Sequence, residues 1–431
     1  MRFLKTLFAA GAVAAVASAV LAAPALAEPI NPHTNKTVTP RAWDIVGVGS
    51  QSISYITDQL TYNYDCFGTN TKKTTGRCTT KADSPANPYI YSWDAVPPSN
   101  LNDTTSKIVP KAGCKRNLRP DGSGAGITAL ETNELGSTHY SYKGKTHTVA
   151  CANFARSSRP RGTSDAPYAK GGIAFDELWA DAVTYASTNL KGESTNVPNN
   201  LTRNQLIEIF SCSVPAANGF GANTWGALLG ASAKGASSAI DPIVPQAGSG
   251  TLSFWMATAL GLSTTSEPTC GTAANLGVAQ QPEENEGISP VFRVGGTKSG
   301  KPNPNVIYPF STGAYLAEKY HSASCSKNAS HKGKNKFGCN QIGVFGLNSI
   351  KPFGAPYVTP RGAKVPVTNP KWVSSQFERR LYVVVPFATG TKDHIPSNLE
   401  KFIGHKGLFC TDTNVVKAYG FEPDPRCGTT G

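Results

Sequence analysis

Asp44-Ile45-Val46-Gly47-Val48-Gly49-Ser50-Gln51-Ser52 sets how the rest of the chain is read. Its first half, Asp44 to Val48, reads as a short buried strand. Its second half is a Gly/Ser turn that opens an apolar-periodic helix. Such a turn is a competent oxyanion cradle. Glycine lets the backbone come close to a ligand, a serine hydroxyl adds a donor, and the helix dipole favours negative charge. The same design recurs at Asp121-Gly122-Ser123-Gly124-Ala125-Gly126 and at Ala247-Gly248-Ser249-Gly250-Thr251. Taken singly, each reads first as a capped helix start. Three in one chain raise the odds of a shared ligand.

A fourth segment, Asn153-Phe154-Ala155-Arg156-Ser157-Ser158-Arg159-Pro160-Arg161, places three arginines and two hydroxyls behind a short apolar run. Arginine's planar fork suits an oxyanion, so Arg156 or Arg159 is a candidate for neutralising what the turns hold. An exposed basic turn is an equal reading. Elsewhere, strands are expected at Ala182–Ala186, Ile307–Phe310 and Leu381–Val385. Thr202-Arg203-Asn204-Gln205 reads as a capping box opening a helix through Phe210. This alternation favours α/β layers over a sandwich, with no repeat of fixed period. Residues 28 to 42 read as a mobile lead-in, and Cys66 to Lys115 as mostly loop.

At 431 residues, with 39% hydrophobic and 16% charged, 42 Gly and 31 Pro, the chain is neither disordered, coiled-coil nor collagenous, and is long enough for two or three packing units. Residues Met1 to Ala27 carry Arg2 and Lys5, an Ala/Val-rich run and an Ala25-Leu26-Ala27 site. They read as a cleaved signal peptide without a lipidation cysteine, so an extracellular protein is expected. All 10 Cys (Cys66, Cys78, Cys114, Cys151, Cys212, Cys270, Cys325, Cys339, Cys410, Cys427) lie beyond it. An even count without a CxxC pair favours disulfides over metal, and pairing of neighbours would close five modest loops. Without Arg2 and Lys5 the chain keeps 39 basic residues against 28 acidic, a net +11 that attracts anions. Its densest group, Lys327, Lys332, Lys334 and Lys336, reads as a solvated loop. No basic stretch is interleaved with aromatics for stacking on nucleic acid. Asn35, Asn102, Asn200 and Asn328 head Asn-x-Ser/Thr sites, relevant only in a glycosylating host.

Catalytic patterns are absent: there is no GxSxG, HExxH or Walker A pattern, and the 7 His, among them His394 and His405, lack ligand spacing. Glu283, Glu284 and Glu286, near Pro282 and Gly287, are paired carboxylates that read as a solvated acidic turn. Neither a metal, a cofactor nor an enzymatic activity is expected.

The segments DIVGVGS (44–50), GSGAGI (122–127), FARSSRPRG (154–162), PQAGSGT (245–251) and IYPFSTGAYLA (307–317) together resemble the PstS-like phosphate-binding proteins of ABC importers, in particular a secreted actinobacterial branch. The resemblance covers most of residues 44 to 426. It implies a type II periplasmic-binding-protein fold, two α/β lobes that close over an oxyanion through two hinge strands. The hinges would lie near Val183–Ser187 and Val306–Phe310. Lobe 1 would combine 44–183 with 309–431, lobe 2 would be 184–308, and 28–43 would lead in. Matching motifs place the ligand contacts at Ser50, Gln51, Ser52, Ser123, Gly124, Ser249, Gly250 and Thr251, with Arg156, Ser157, Ser158 and Arg159 from the fourth segment.

Two departures bear on the ligand. Ser158 stands where the family carries an aspartate that accepts the proton of hydrogen phosphate, which weakens discrimination against sulfate. Gln246 stands near where an arginine usually precedes the third turn, leaving the positive charge to Arg156 or Arg159. The resulting expectation is a monomeric, extracellular receptor for phosphate or a similar oxyanion, used in uptake or scavenging with or without an ABC permease. The alternative is a wall-associated structural protein that uses its charge on anionic wall polymers. A phosphate-ester hydrolase is weaker still, since no nucleophile and base are paired.

Overall fold

The computed structural model describes residues 28–34, 36–69, 78–97, 103, 105–188, 194–262, 268–271, 284, 302–321, 342–358, 364–372 and 375–430. Residues 1–27, expected as a signal peptide, the Cys325 and Cys339 positions and the lysine-rich group between them lie outside these residues.

Strand β1 (Ile45–Gly49) is buried along its whole length and runs directly into a 3-10 turn, Gln51–Ile53, and helix α1 (Ser54–Phe67). Further along come β2 (Ile90–Ser92), α2 (Gly122–Glu131), a hairpin of β3 (Ser137–Tyr142) and β4 (Lys145–Ala150), and β5 (Phe154–Ser157). Next is β6 (Ile173–Thr188), 16 residues long and buried throughout. Then follow α3 (Arg203–Phe210), α4 (Trp225–Leu229), β7 (Asp241–Pro242) and α5 (Gly250–Ser253), which continues as a π turn over Phe254–Ala259. The chain closes with β8 (Val306–Ser311), α6 (Thr312–His321), β9 (Ile342–Val344), β10 (Glu378–Pro386) and β11 (Glu422–Pro423). These elements make a mixed α/β fold.

Among the described residues the main sheet runs β7-β8-β6-β10-β5-β1-β2, with β9 and β11 also pairing along β6. β1 lies parallel to β2 and β5, whereas β10 is antiparallel to both β5 and β6. One core gathers Ile56, Leu60, Phe154, Leu178, Val383 and Phe409. A second gathers Val183, Tyr185, Phe210, Trp225, Trp255 and Phe377. The first half of β6 serves one core and its second half the other, so it is buried along its whole length and must also shelter Asp176, Glu177 and Asp181. Those three charges hid its first half from the sequence reading, which placed a strand only at Ala182–Ala186.

The capping box forms as expected. Gln205 N–H donates to Thr202 Oγ1 at 3.3 Å, and Thr202 N–H donates to Gln205 Oε1 at 2.9 Å. Residues 28 to 42, expected as a bare lead-in, instead pack. Ile30–Asn31 pairs with Lys36–Thr37, and Glu28 meets Arg119 at 2.5 Å. Cysteines join as neighbours, Cys66–Cys78, Cys114–Cys151, Cys212–Cys270 and Cys410–Cys427, and no free thiol occurs among the described residues.

Candidate functional site

The first turn is fixed from behind. Gly49 takes a φ of +103°, a left-handed conformation that favours glycine, and so swings the chain from β1 into the turn. Ser50 N–H donates to the Arg156 carbonyl at 3.0 Å, and the Arg156 guanidinium donates back to the Ser50 carbonyl (3.0 Å), the Gly49 carbonyl (2.8 Å) and the Trp93 carbonyl (2.7 Å). It also bonds the Ser92 hydroxyl. Burial pulls the Arg156 pKa down, and the neighbouring Asp58 and Asp94 carboxyls push it back up. Arg156 is thus consumed in tying β5 to the ends of β1 and β2.

The second and third turns meet face to face. Gly124 N–H donates to the Gly248 carbonyl at 3.0 Å, Ser158 N–H donates to Ser123 Oγ at 3.0 Å, and the two serine hydroxyls lie 3.1 Å apart. A Cβ at residue 250 would fall 2.3 Å from Ser158 Oγ and 2.6 Å from Ser123 Oγ, so Gly250 is what lets α5 start against them. Ser249 Oγ caps α5 by accepting from Leu252 N–H at 3.0 Å. Ser52 and Thr251 hydroxyls, 3.3 Å apart, join the first turn to the third.

Five donors from the first and third turns converge on one carboxylate, that of Glu284, which is 2% exposed. Its Oε1 accepts from Ser249 Oγ (2.6 Å) and Thr251 N–H (3.1 Å). Its Oε2 accepts from Ser52 Oγ (2.8 Å), Ser52 N–H (3.3 Å) and Ser50 Oγ (3.3 Å). The expectation of a solvated acidic turn is corrected here for Glu284. Composition shows that a carboxylate is present but not that two remote turns supply it with hydrogen bonds away from water. Glu283 and Glu286 lie outside the described residues.

The positive charge beside the cradle comes from Arg379, a residue the sequence reading missed. Its guanidinium, 1% exposed, donates to Thr251 Oγ1 at 2.8 Å, to Ser52 Oγ at 3.2 Å and to the Ser158 carbonyl at 3.5 Å. Asp181, directly opposite across the β6–β10 ladder, holds it through Oδ2 at 2.8 and 2.9 Å. Asp181 Oδ1 meanwhile accepts from Gly313 N–H at 3.1 Å. The ladder shifts register between Glu177 and Ala180, and this irregularity just ahead of the pair re-aims both side chains toward the turns. The available signal was the charged Glu378-Arg379-Arg380 run at the head of an apolar strand; the partner was not legible without the register.

Of the residues singled out from sequence, the structure brings Ser50, Ser52, Ser249 and Thr251 onto one carboxylate. It sets Ser123, Ser158 and Gly250 immediately behind them. Gln51 is buried in the 3-10 turn, and Gly124 ties the turns together. It does not bring Arg156 or Arg159 to the cradle: Arg159 forms a two-pronged pair with Asp165 at 2.6 and 2.8 Å, and Ser157 Oγ bonds the Arg159 backbone. Among the described residues no group of three or more His, Cys, Asp or Glu is placed to hold a metal. No helix there is long and apolar enough to cross a membrane.

Mixed α/β layers whose Gly/Ser turns converge on a single oxyanion-bearing group define an anion-cradling fold. The chain belongs to the PBP superfamily, whose domain model matches residues 69–324. Among solved structures it is similar to an ABC-type phosphate transport receptor from Vibrio cholerae, with 13% identity and a TM-score of 0.42 over 88% of this chain and 100% of that one. It is also similar to PstS from Borrelia burgdorferi, with 14% identity and a TM-score of 0.36 over 88% and 98%. A possible phosphate binding protein from Planctomyces limnophilus gives 12% identity and a TM-score of 0.36 over 89% and 93%. No curated protein sequence matches the chain.

Proposed function

We propose that the protein is an extracellular solute-binding protein that captures phosphate or a similar oxyanion in this cradle, without chemistry, for uptake or scavenging. One observation carries the reading: three hydroxyls and two backbone amides, contributed by turns about two hundred residues apart in sequence, all donate to the two oxygens of one carboxylate. Preset donors of this kind, with a buried guanidinium alongside, bind an anion strongly because they are already aimed at one point. Two lobes, 44–183 with 309–431 and 184–308, would meet at the cradle, hinged near Val183–Ser187 and Val306–Phe310. Asp181 already accepts at both oxygens, and Ser158 is a hydroxyl, so sulfate as well as phosphate should bind.

Thermal unfolding of the mature protein at constant ionic strength tests this. Phosphate at about a hundred times its dissociation constant should add about 2.7 kcal/mol. No stabilisation by phosphate, sulfate or phosphate esters would overturn the reading. It would favour the second one, to which a self-filled cradle also lends support: a wall-associated protein attached through its net charge and released by salt.

A further inference from the structure

The carboxylate of Glu284 does not sit beside the oxyanion position; it occupies it. Each of its hydrogen bonds comes from a donor that an incoming oxyanion would need, and the two oxygens share those donors as two oxygens on one phosphorus would. Resting on the oxyanion reading above, we infer that Glu284 is an internal counter-ligand, and that an external oxyanion binds only by displacing it. The exchange conserves the hydrogen bonding of the cradle, because every N–H and O–H released by the carboxylate is taken up by the incoming anion. It also shapes selectivity. A neutral solute that fits the space must leave Glu284 expelled and the cradle's donors without a charged acceptor, while a dianion replaces the lost charge and adds to it. Since only the fraction of molecules with Glu284 withdrawn can accept ligand, occupancy of the cradle by Glu284 nine times in ten would weaken the apparent affinity about tenfold.

Isothermal titration of phosphate into the mature wild type, Glu284→Gln and Glu284→Ala, each checked for its fold by circular dichroism, reads this directly. Both variants should bind phosphate roughly tenfold or more tightly than the wild type. Binding seen only in the variants would uphold the counter-ligand and overturn the receptor reading, because Glu284 would then keep the cradle closed in the native chain. Acetate added to Glu284→Ala should compete with phosphate, since it returns a carboxylate to the position the side chain left. If Glu284→Ala does not fold, Glu284→Gln, which keeps the side chain's size and removes only its charge, decides alone. Equal phosphate affinity in wild type and variants overturns the counter-ligand and leaves the oxyanion receptor standing. An absence of binding in all three proteins overturns both.

Discussion

Arg379 and Asp181 form a buried ion pair beside the cradle, so losing either partner is costly. Both are buried, they face each other across the ladder, and among the described residues Arg379 is the cation bonded to Asp181 Oδ2. Replacing Arg379 by Met should therefore cost about 3–5 kcal/mol in urea unfolding, most of it from the carboxylate left without its partner. Arg379→Lys should keep more of that stability yet lose phosphate binding, since a point charge does not span Asp181, Ser52 and Thr251 at once. Unchanged phosphate affinity in Arg379→Lys would remove Arg379 from the site. At this scale the sequence was legible where chemistry is local: Ser50, Ser52, Ser249 and Thr251 sit in turns whose glycines and hydroxyls announce them. Arg156 was visible as a charge but not as a direction, because its carbonyl partners lie on two other segments. Arg379 and Glu284 depend on contacts across long stretches of chain, and no local pattern encodes them.

Among elements, the approach of β1 to α2 positions the first turn against the second. At Gly126 a Cβ would stand 2.6 Å from the Gly49 Cα and 3.3 Å from the Ala155 Cβ, and the first of these is backbone that cannot swing aside. Gly126→Ala should force α2 away from β1, costing about 1–3 kcal/mol and weakening phosphate binding through displaced Ser50 and Ser123. Chemical denaturation together with titration checks it, and wild-type values in both would show that the contact is not what spaces the turns. Elements whose signals are short-range were read correctly from sequence, the capping box at Thr202 and the strands at 307–310 and 381–385 among them. The length of β6 was not, since a strand covered on both faces can bury carboxyls that a pattern-based reading assigns to loops.

For the molecule as a whole, buried carboxyls set a pH dependence. Burial, with Asp393 adding repulsion, pushes Asp176 up to about 8. Asp44 is pushed to about 8 by burial and by Asp83, and Asp94 to about 7 by burial. Each binds a proton more tightly folded than unfolded. Their stabilising contribution is complete below the unfolded value of 3.8 and is lost as pH rises toward about 8. The thermal midpoint should accordingly be lower near pH 8 than near pH 5 at fixed ionic strength, and Asp176→Asn should shrink that difference. An undiminished difference in Asp176→Asn would clear Asp176 of the effect.

The strand order carries a consequence for how the chain comes to be folded. β5 and β6 follow each other closely in sequence but are not neighbours in the sheet, because β10, from Glu378 to Pro386, lies between them. On a chain growing from its amino terminus, the middle strand of the sheet is made after all the others except the two-residue β11. Until it arrives, β5 and β6 each present an open strand edge, the surface by which unfinished sheets find wrong partners. Because its key pairing is so distant, folding should be slow for a chain of this size and governed by completion of synthesis rather than by the early segments.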